Sequence, residues 1–345
     1  MSEQGREIRE NLDEIRDLLN LESYGEDVAV TDATYTFDAK VRNDIANLIV
    51  YGTPGCGKSY YVKNTLLGNF DEDKIIRTTF YQDYTNTDFV GQILPVISGE
   101  DVTYKFNPGP FTIALEKAVR YPSKKVALVI EELNRGNAAS IFGDIFQLLD
   151  RKDGKSEYPI TNINIQMHLE DCFDGIKFGY IKLPSNMSII ATMNTCDQNV
   201  FTLDTAFKRR WEFLKLKNRF EKTGDNAHPY SGYFVPGMEN TTWEEFVDTI
   251  NAFMLSNNNS FLSEDKQLGV YFVGEELLEK NNSTENKEKT QKFAYKVLEY
   301  LWNDVAKFDR DTWFKTSIKS LDELVELFIS SGKEVFQNGI FKKTN

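Results

Sequence analysis

Cysteine is scarce. The chain of 345 residues has three, Cys56, Cys172 and Cys196, none at C-x-x-C spacing, so neither a disulfide framework nor a zinc site is supported. Two histidines, His168 and His228, leave little room for imidazole catalysis. Positive charge is also short: a net charge of −13 argues against a surface that coats nucleic acid non-specifically. Any DNA contact is then local or delegated. No apolar run approaches the roughly 18 residues of a membrane span, and the opening MSEQGREIREN has no hydrophobic signal core. The expectation is a cytoplasmic chain with no membrane partner.

What is present suffices for a globular fold. The apolar fraction is 41%, enough for a buried core, and the length suggests two or three domains or subdomains. The 25 phenylalanines sit mostly in apolar-periodic runs, which points to core packing rather than base stacking.

The most informative stretch is LIVYGTPGCGKS, residues 48–59, where a short apolar strand empties into a glycine-rich loop. Gly52, Gly57, Lys58 and Ser59 fit G-x-x-x-x-G-K-[ST]. In this pattern glycines let backbone N–H groups close around phosphate oxygens, the lysine reaches the β and γ phosphates, and the serine hydroxyl binds Mg²⁺. The cofactor-binding set is therefore Gly52, Thr53, Pro54, Gly55, Cys56, Gly57, Lys58 and Ser59. Cys56 and Cys196 stand at variable positions, as thiol-sensitive points or as tolerated small residues.

Strands and helices alternate onward to about residue 217. Strand-like KIIRTTF (74–80), helix-like FTIALEKAVRY (111–121), strand VALVIEE (126–132), helix AASIFGDIFQLLD (138–150) and strand MSIIATMN (187–194) follow in order. Such alternation implies crossover connections and a parallel sheet covered on both faces. Two insertions interrupt it. Residues 88–111 read as a small helix plus a hairpin around 102–106, and the alternating ITNINIQMH and IKFGYIKL read as a second hairpin. Before the core, apolar residues at helical spacing over 6–20 predict an amphipathic helix, for packing or for a partner. After it, WEEFVDTINAFML and FAYKVLEYLWNDVAKF predict a helical region, with polar loops at 256–260 and 280–289. The expected division is 1–42 as helix and connector, 43–217 as an α/β nucleotide-binding domain, and 218–345 as a helical lid subdomain.

Glu131 and Glu132 close the third strand, where a phosphate-loop protein needs one carboxylate for the Mg²⁺ shell and one to orient water. Asn194, at the tip of MSIIATMN, can hydrogen-bond the γ-phosphate or the attacking water. Asp197 orients a neighbour or caps a loop. Within LDTAFKRRWEF (203–213), Lys208, Arg209 and Arg210 complement a helix C-terminus or offer an arginine finger to a neighbouring subunit.

The set GTPGCGKS, VIEELNRGN, ATMNTCDQN and LDTAFKRRWEF, with FNPGPF after the first, resembles the AAA+ NTPases. Within them it is similar to the GTP-hydrolysing motor subunits of McrBC-type modification-dependent restriction systems. The likeness covers about residues 43–217, and LGVYFV (268–273) and YLWNDVAKFD (300–309) carry it more weakly into the lid. It implies an AAA+ phosphate-loop sheet with helices on both faces and a helical lid. Glu132 would activate water, Asn194 would act as the first sensor, and Ser59 with Glu131 would hold Mg²⁺. Arg209 and Arg210 would be fingers acting across a homo-oligomeric ring, a hexamer, with Asn134 and Arg135 near the subunit interface. The substrate would be GTP or ATP, the partner a McrC-like nuclease subunit, and DNA would be translocated by the assembled complex. A MoxR- or dynein-like remodeller of a protein client, and a nucleotide-gated scaffold that barely hydrolyses, are the alternatives. The chain departs from the family in four places. Glu131 stands for the usual Asp, Cys196-Asp197-Gln198-Asn199 follows where A-D-R-S is common, LGVYFV carries no arginine, and no large domain for modified DNA precedes the core.

Overall fold

The computed structural model describes Tyr35 and residues 37–98, 101–194, 200–221, 228–256 and 266–341. The helix expected over 6–20 lies outside them. So do Thr195, Cys196, Asp197, Gln198, Asn199 and the loop 257–260. The described chain divides into two compact units. One holds 37–51, 59–193 and 200–214; the other holds 52–58, Asn194 and 215–341.

The first unit is built on a five-stranded sheet in the order β2-β5-β8-β1-β9. Its strands are β1 (Asn47–Gly52), β2 (Ile75–Thr79), β5 (Val126–Glu131), β8 (Met187–Asn194) and β9 (Glu212–Lys215). β2 runs parallel to β5, with Thr79 opposite Glu131, and β5 runs parallel to β8. Val126 to Ile130 are fully buried, as a central strand covered on both faces must be. This is the α/β fold that the alternation implies.

Local chemistry sets the helices. α1 (Lys58–Tyr61) follows the phosphate loop and widens into a π turn over Val62–Leu66. α2 (Asn86–Val90) starts at a capping box between Thr85 and Asp88. It leads into a hairpin of β3 (Gly91–Ser98) and β4 (Asp101–Pro108), so the helix-plus-hairpin reading of the first insertion holds. α3 (Pro110–Arg120) has proline in its first turn, where no N–H is missed. It buries Phe111, Ala114, Leu115, Ala118 and Val119 at helical spacing.

Two expectations need correction. The helix expected over 138–150 breaks: α4 (Ala138–Phe142) ends at Gly143, φ +50°, and a 3₁₀ stretch Gly143–Leu149 follows. Asn86 Nδ2 donates to the released Ile141 carbonyl at 2.9 Å, which satisfies the group that the break would strand. The second expected hairpin is instead α5 (Ile163–Cys172). Asn162 accepts the Ile165 N–H at 3.2 Å and nucleates a helix, overriding the short Asn/Ile alternation. Between the two segments, the described residues show the bridge Ile160–Ile181. A different hairpin, β6 (Arg151–Lys152) with β7 (Lys155–Ser156), turns at Asp153-Gly154, both at positive φ, a signal of the primed turns that close tight hairpins.

α6 (Thr205–Lys208) completes the first unit's helices, capped by Asp204. The second unit is helical, with its own core around Trp243, Phe246, Phe293, Trp313 and Phe328. Its helices are α7 (Trp243–Ser256), α8 (Lys287–Tyr300), α9 (Arg310–Trp313) and α10 (Leu321–Ser331). α8 begins six residues before the expected FAYKV run because Asn286 caps it, accepting the Lys289 N–H at 3.1 Å. No helix among the described residues is long and apolar enough to cross a membrane.

Candidate nucleotide site

The phosphate loop, 52–58, is held within the second unit. Lys58 is buried and its Nζ donates to the carbonyls of Gly52 at 3.0 Å and Thr53 at 2.9 Å. Gly55 and Gly57 take φ +75° and +92°, conformations that favour glycine. Space requires glycine too: a Cβ on Gly57 would lie 2.8 Å from the Tyr271 ring, and one on Gly55 would lie 3.0 Å from Phe272 Cα. The Tyr271 N–H donates to the Gly55 carbonyl at 2.7 Å, and a Cβ on Gly269 would collide with the Pro54 carbonyl. The segment LGVYFV thus lies directly on the loop. Cys56 is buried, and burial pushes its thiol up against the opposing pull of Lys58 and Thr53. It is a poor thiolate and a small packing residue.

Side chains of the second unit fix the path of this strap. Asn251 accepts the Leu268 N–H at 2.8 Å and donates to the Leu268 carbonyl at 2.9 Å. Asn218 donates to that carbonyl and accepts the Val270 N–H. The Val270 carbonyl accepts from Trp243 Nε1 at 2.8 Å and from His228 Nε2 at 2.9 Å. Sequence reasoning missed these partners because they come from three separate segments, two of them loops and the third the helix α7, which carries both Trp243 and Asn251.

Within the first unit, a group of side chains gathers on Glu131. Ser59 Oγ, the residue after Lys58, donates to Glu131 Oε2 at 3.2 Å. Thr192 Oγ1 donates to the same oxygen, and Arg77 Nη1 meets Oε1 at 3.3 Å. Glu131 therefore does reach the serine hydroxyl, although the family usually has the shorter Asp. Thr192 and Arg77 went unnoticed in the sequence; the signal was their place on β8 and β2, the neighbours of β5. Glu132 lies at φ +56°, ψ +46°, the left-handed region, which costs a non-glycine residue energy and clusters at functional sites. Its N–H donates to Thr192 Oγ1 at 3.3 Å, and its carboxylate pairs with Arg135 at 3.1 Å. Asn134 is buried beside it, and Asn194 is buried at the end of β8.

The two arginines after α6 differ. Arg210 puts Nη2 on Asp150 at 2.6 Å and Nε at 3.0 Å, and lies 4.1 Å from the Phe146 ring centroid. Arg209 is exposed. The oxygen donors Ser59 and Glu131 suit a hard divalent ion such as Mg²⁺, and the glycine-lined loop suits phosphates.

Comparison with known proteins finds the following likenesses. The AAA domain (dynein-related subfamily) model matches residues 47–211. Over 321 residues the chain is 38% identical to the YdiS component of the type II restriction enzyme BsuMI of Bacillus subtilis, covering 84% of this chain and 88% of that protein. Over 178 residues it is 28% identical to the EcoKMcrB subunit of the type IV methyl-directed restriction enzyme of Escherichia coli, covering 51% of this chain and 36% of that subunit.

Proposed function

The chain belongs to the McrB-like AAA+ NTPases, and from that membership we propose that it hydrolyses a nucleoside triphosphate as the ring-forming motor subunit of a restriction complex. The ring is a hexamer, its partner a McrC-like nuclease subunit, and its work the translocation of DNA. The observation that carries the reading is the meeting of Ser59 and Glu131 at 3.2 Å, with Glu132 next in the chain in a strained conformation.

Lys58 exchanges its two carbonyl partners for phosphate oxygens. Ser59 and Glu131 would hold Mg²⁺, which would supply charge neutralisation for the phosphates. Glu132 accepts the proton of the attacking water, and its backbone conformation fixes where the carboxylate points. Asn194 orients that water or the γ-phosphate. Arg209, exposed and at a helix end, is the finger offered to a neighbouring subunit. Arg210, bound to Asp150, holds that helix end in place.

The test is steady-state phosphate release with ATP and GTP in parallel over a range of protein concentrations, with Lys58→Ala as control. Turnover that rises steeply with concentration and vanishes in Lys58→Ala supports the ring; preference for GTP aligns it with the McrBC type, preference for ATP with a remodeller. Turnover per subunit independent of concentration contradicts a trans finger.

A further inference from the structure

A second cluster of ionisable side chains joins two helices of the first unit. On α5, His168 and Cys172 stand four residues apart and so share one face. Glu116, on α3, meets them. His168 Nε2 is 3.1 Å from Glu116 Oε2 and 3.7 Å from Cys172 Sγ, and one ligand atom from each residue lies within 4.8 Å of the other two. All three side chains are half-buried. A proton relay would set Glu116 and Cys172 on opposite ring nitrogens, because one nitrogen carries one proton or one lone pair. Here both converge on Nε2.

We propose that Glu116, His168 and Cys172 form a zinc site that clips α3 to α5. A tetrahedral ion with bonds of about 2.3 Å to sulfur and 2.0–2.2 Å to nitrogen and oxygen sets those ligands about 3.5 Å apart for S and N and about 3.4 Å for N and O. The observed 3.7 and 3.1 Å are close to both. Sulfur and imidazole select zinc over Mg²⁺. Arg120 Nη2 donates to the other Glu116 oxygen at 2.9 Å and to the Cys172 carbonyl at 3.3 Å, orienting the carboxylate and leaving Oε2 for the ion. Thiolate and carboxylate cancel the ion's two charges, so a neighbouring guanidinium is tolerated. Water completes the fourth position. The ring of Phe106 packs edge-on against that of His168, with centroids 5.8 Å apart.

The test uses the full chain, stripped with a chelator and titrated with Co²⁺ and then Zn²⁺ in the absence of nucleotide. One equivalent of Co²⁺ is expected to give a thiolate-to-cobalt charge-transfer band, bleached by Zn²⁺. Cys172→Ser should remove the band, and His168→Gln should weaken binding about 100-fold. Zinc should raise the melting temperature of the wild type and not of Cys172→Ser. A wild-type chain without the band, or a band undiminished in Cys172→Ser, overturns the proposal.

Discussion

At the tip of β5, side chains bond to a side chain; along the strap 268–273, side chains bond to backbone. Glu131 is gripped by Ser59, Arg77 and Thr192, contacts that an ion or a water can replace without moving the strand. The strap is gripped through its N–H and carbonyl groups by Asn218, His228, Trp243 and Asn251, so its path holds whatever side chains it carries. The first arrangement tolerates exchange of partners, as the proposed chemistry requires. The second is scaffolding: it sets the space over the phosphate loop, and loss of a partner there costs stability.

The sharpest break in that contrast comes from the arginine pair. Arg209→Ala should cut turnover by about 10³-fold with an unchanged melting temperature. Arg210→Ala, which strands Asp150, should cost about 1–3 kcal/mol of stability, seen in denaturant titration. Equal effects on both readouts would dissolve the distinction. On the strap side, Trp243→Phe keeps the ring contacts with Phe246 and Phe293 and deletes one bond to the Val270 carbonyl. Calorimetry should show a loss of about 1 kcal/mol. The smallest effect is acid sensitivity. His228 donates from Nε2 to Val270 and accepts the Tyr230 N–H on Nδ1, so it is neutral. Burial pushes its proton affinity down, against the pull of Val270 and Glu244. A histidine depressed in the fold gives stability that is present above its unfolded value of about 6.5 and lost as pH falls. The wild type should lose melting temperature on acidification through that value, and His228→Gln should lose less.

The sheet and the strand that ends in Glu131 were legible in the sequence because a phosphate loop, a buried strand and a carboxylate pair are local patterns. β8 matches its expected span, 187–194. The second insertion was not legible: Asn/Ile alternation over a few residues has the period of a strand, and the cap at Asn162 decides for helix. Nor was the environment of Glu131, whose partners lie 54 to 72 residues away in the chain. The Glu116, His168 and Cys172 cluster escaped for the same reason. The search for C-x-x-C spacing sees one segment, while this set joins two helices through residues 52 apart.

The central claim is that Glu131 and Glu132 divide the work, one toward the ion and the other toward water. It is tested most directly by phosphate release and nucleotide binding measured side by side for Glu132→Gln. The account predicts that turnover falls by about 10²-fold or more while nucleotide affinity stays within about threefold of wild type. Turnover at the wild-type rate in Glu132→Gln would contradict it.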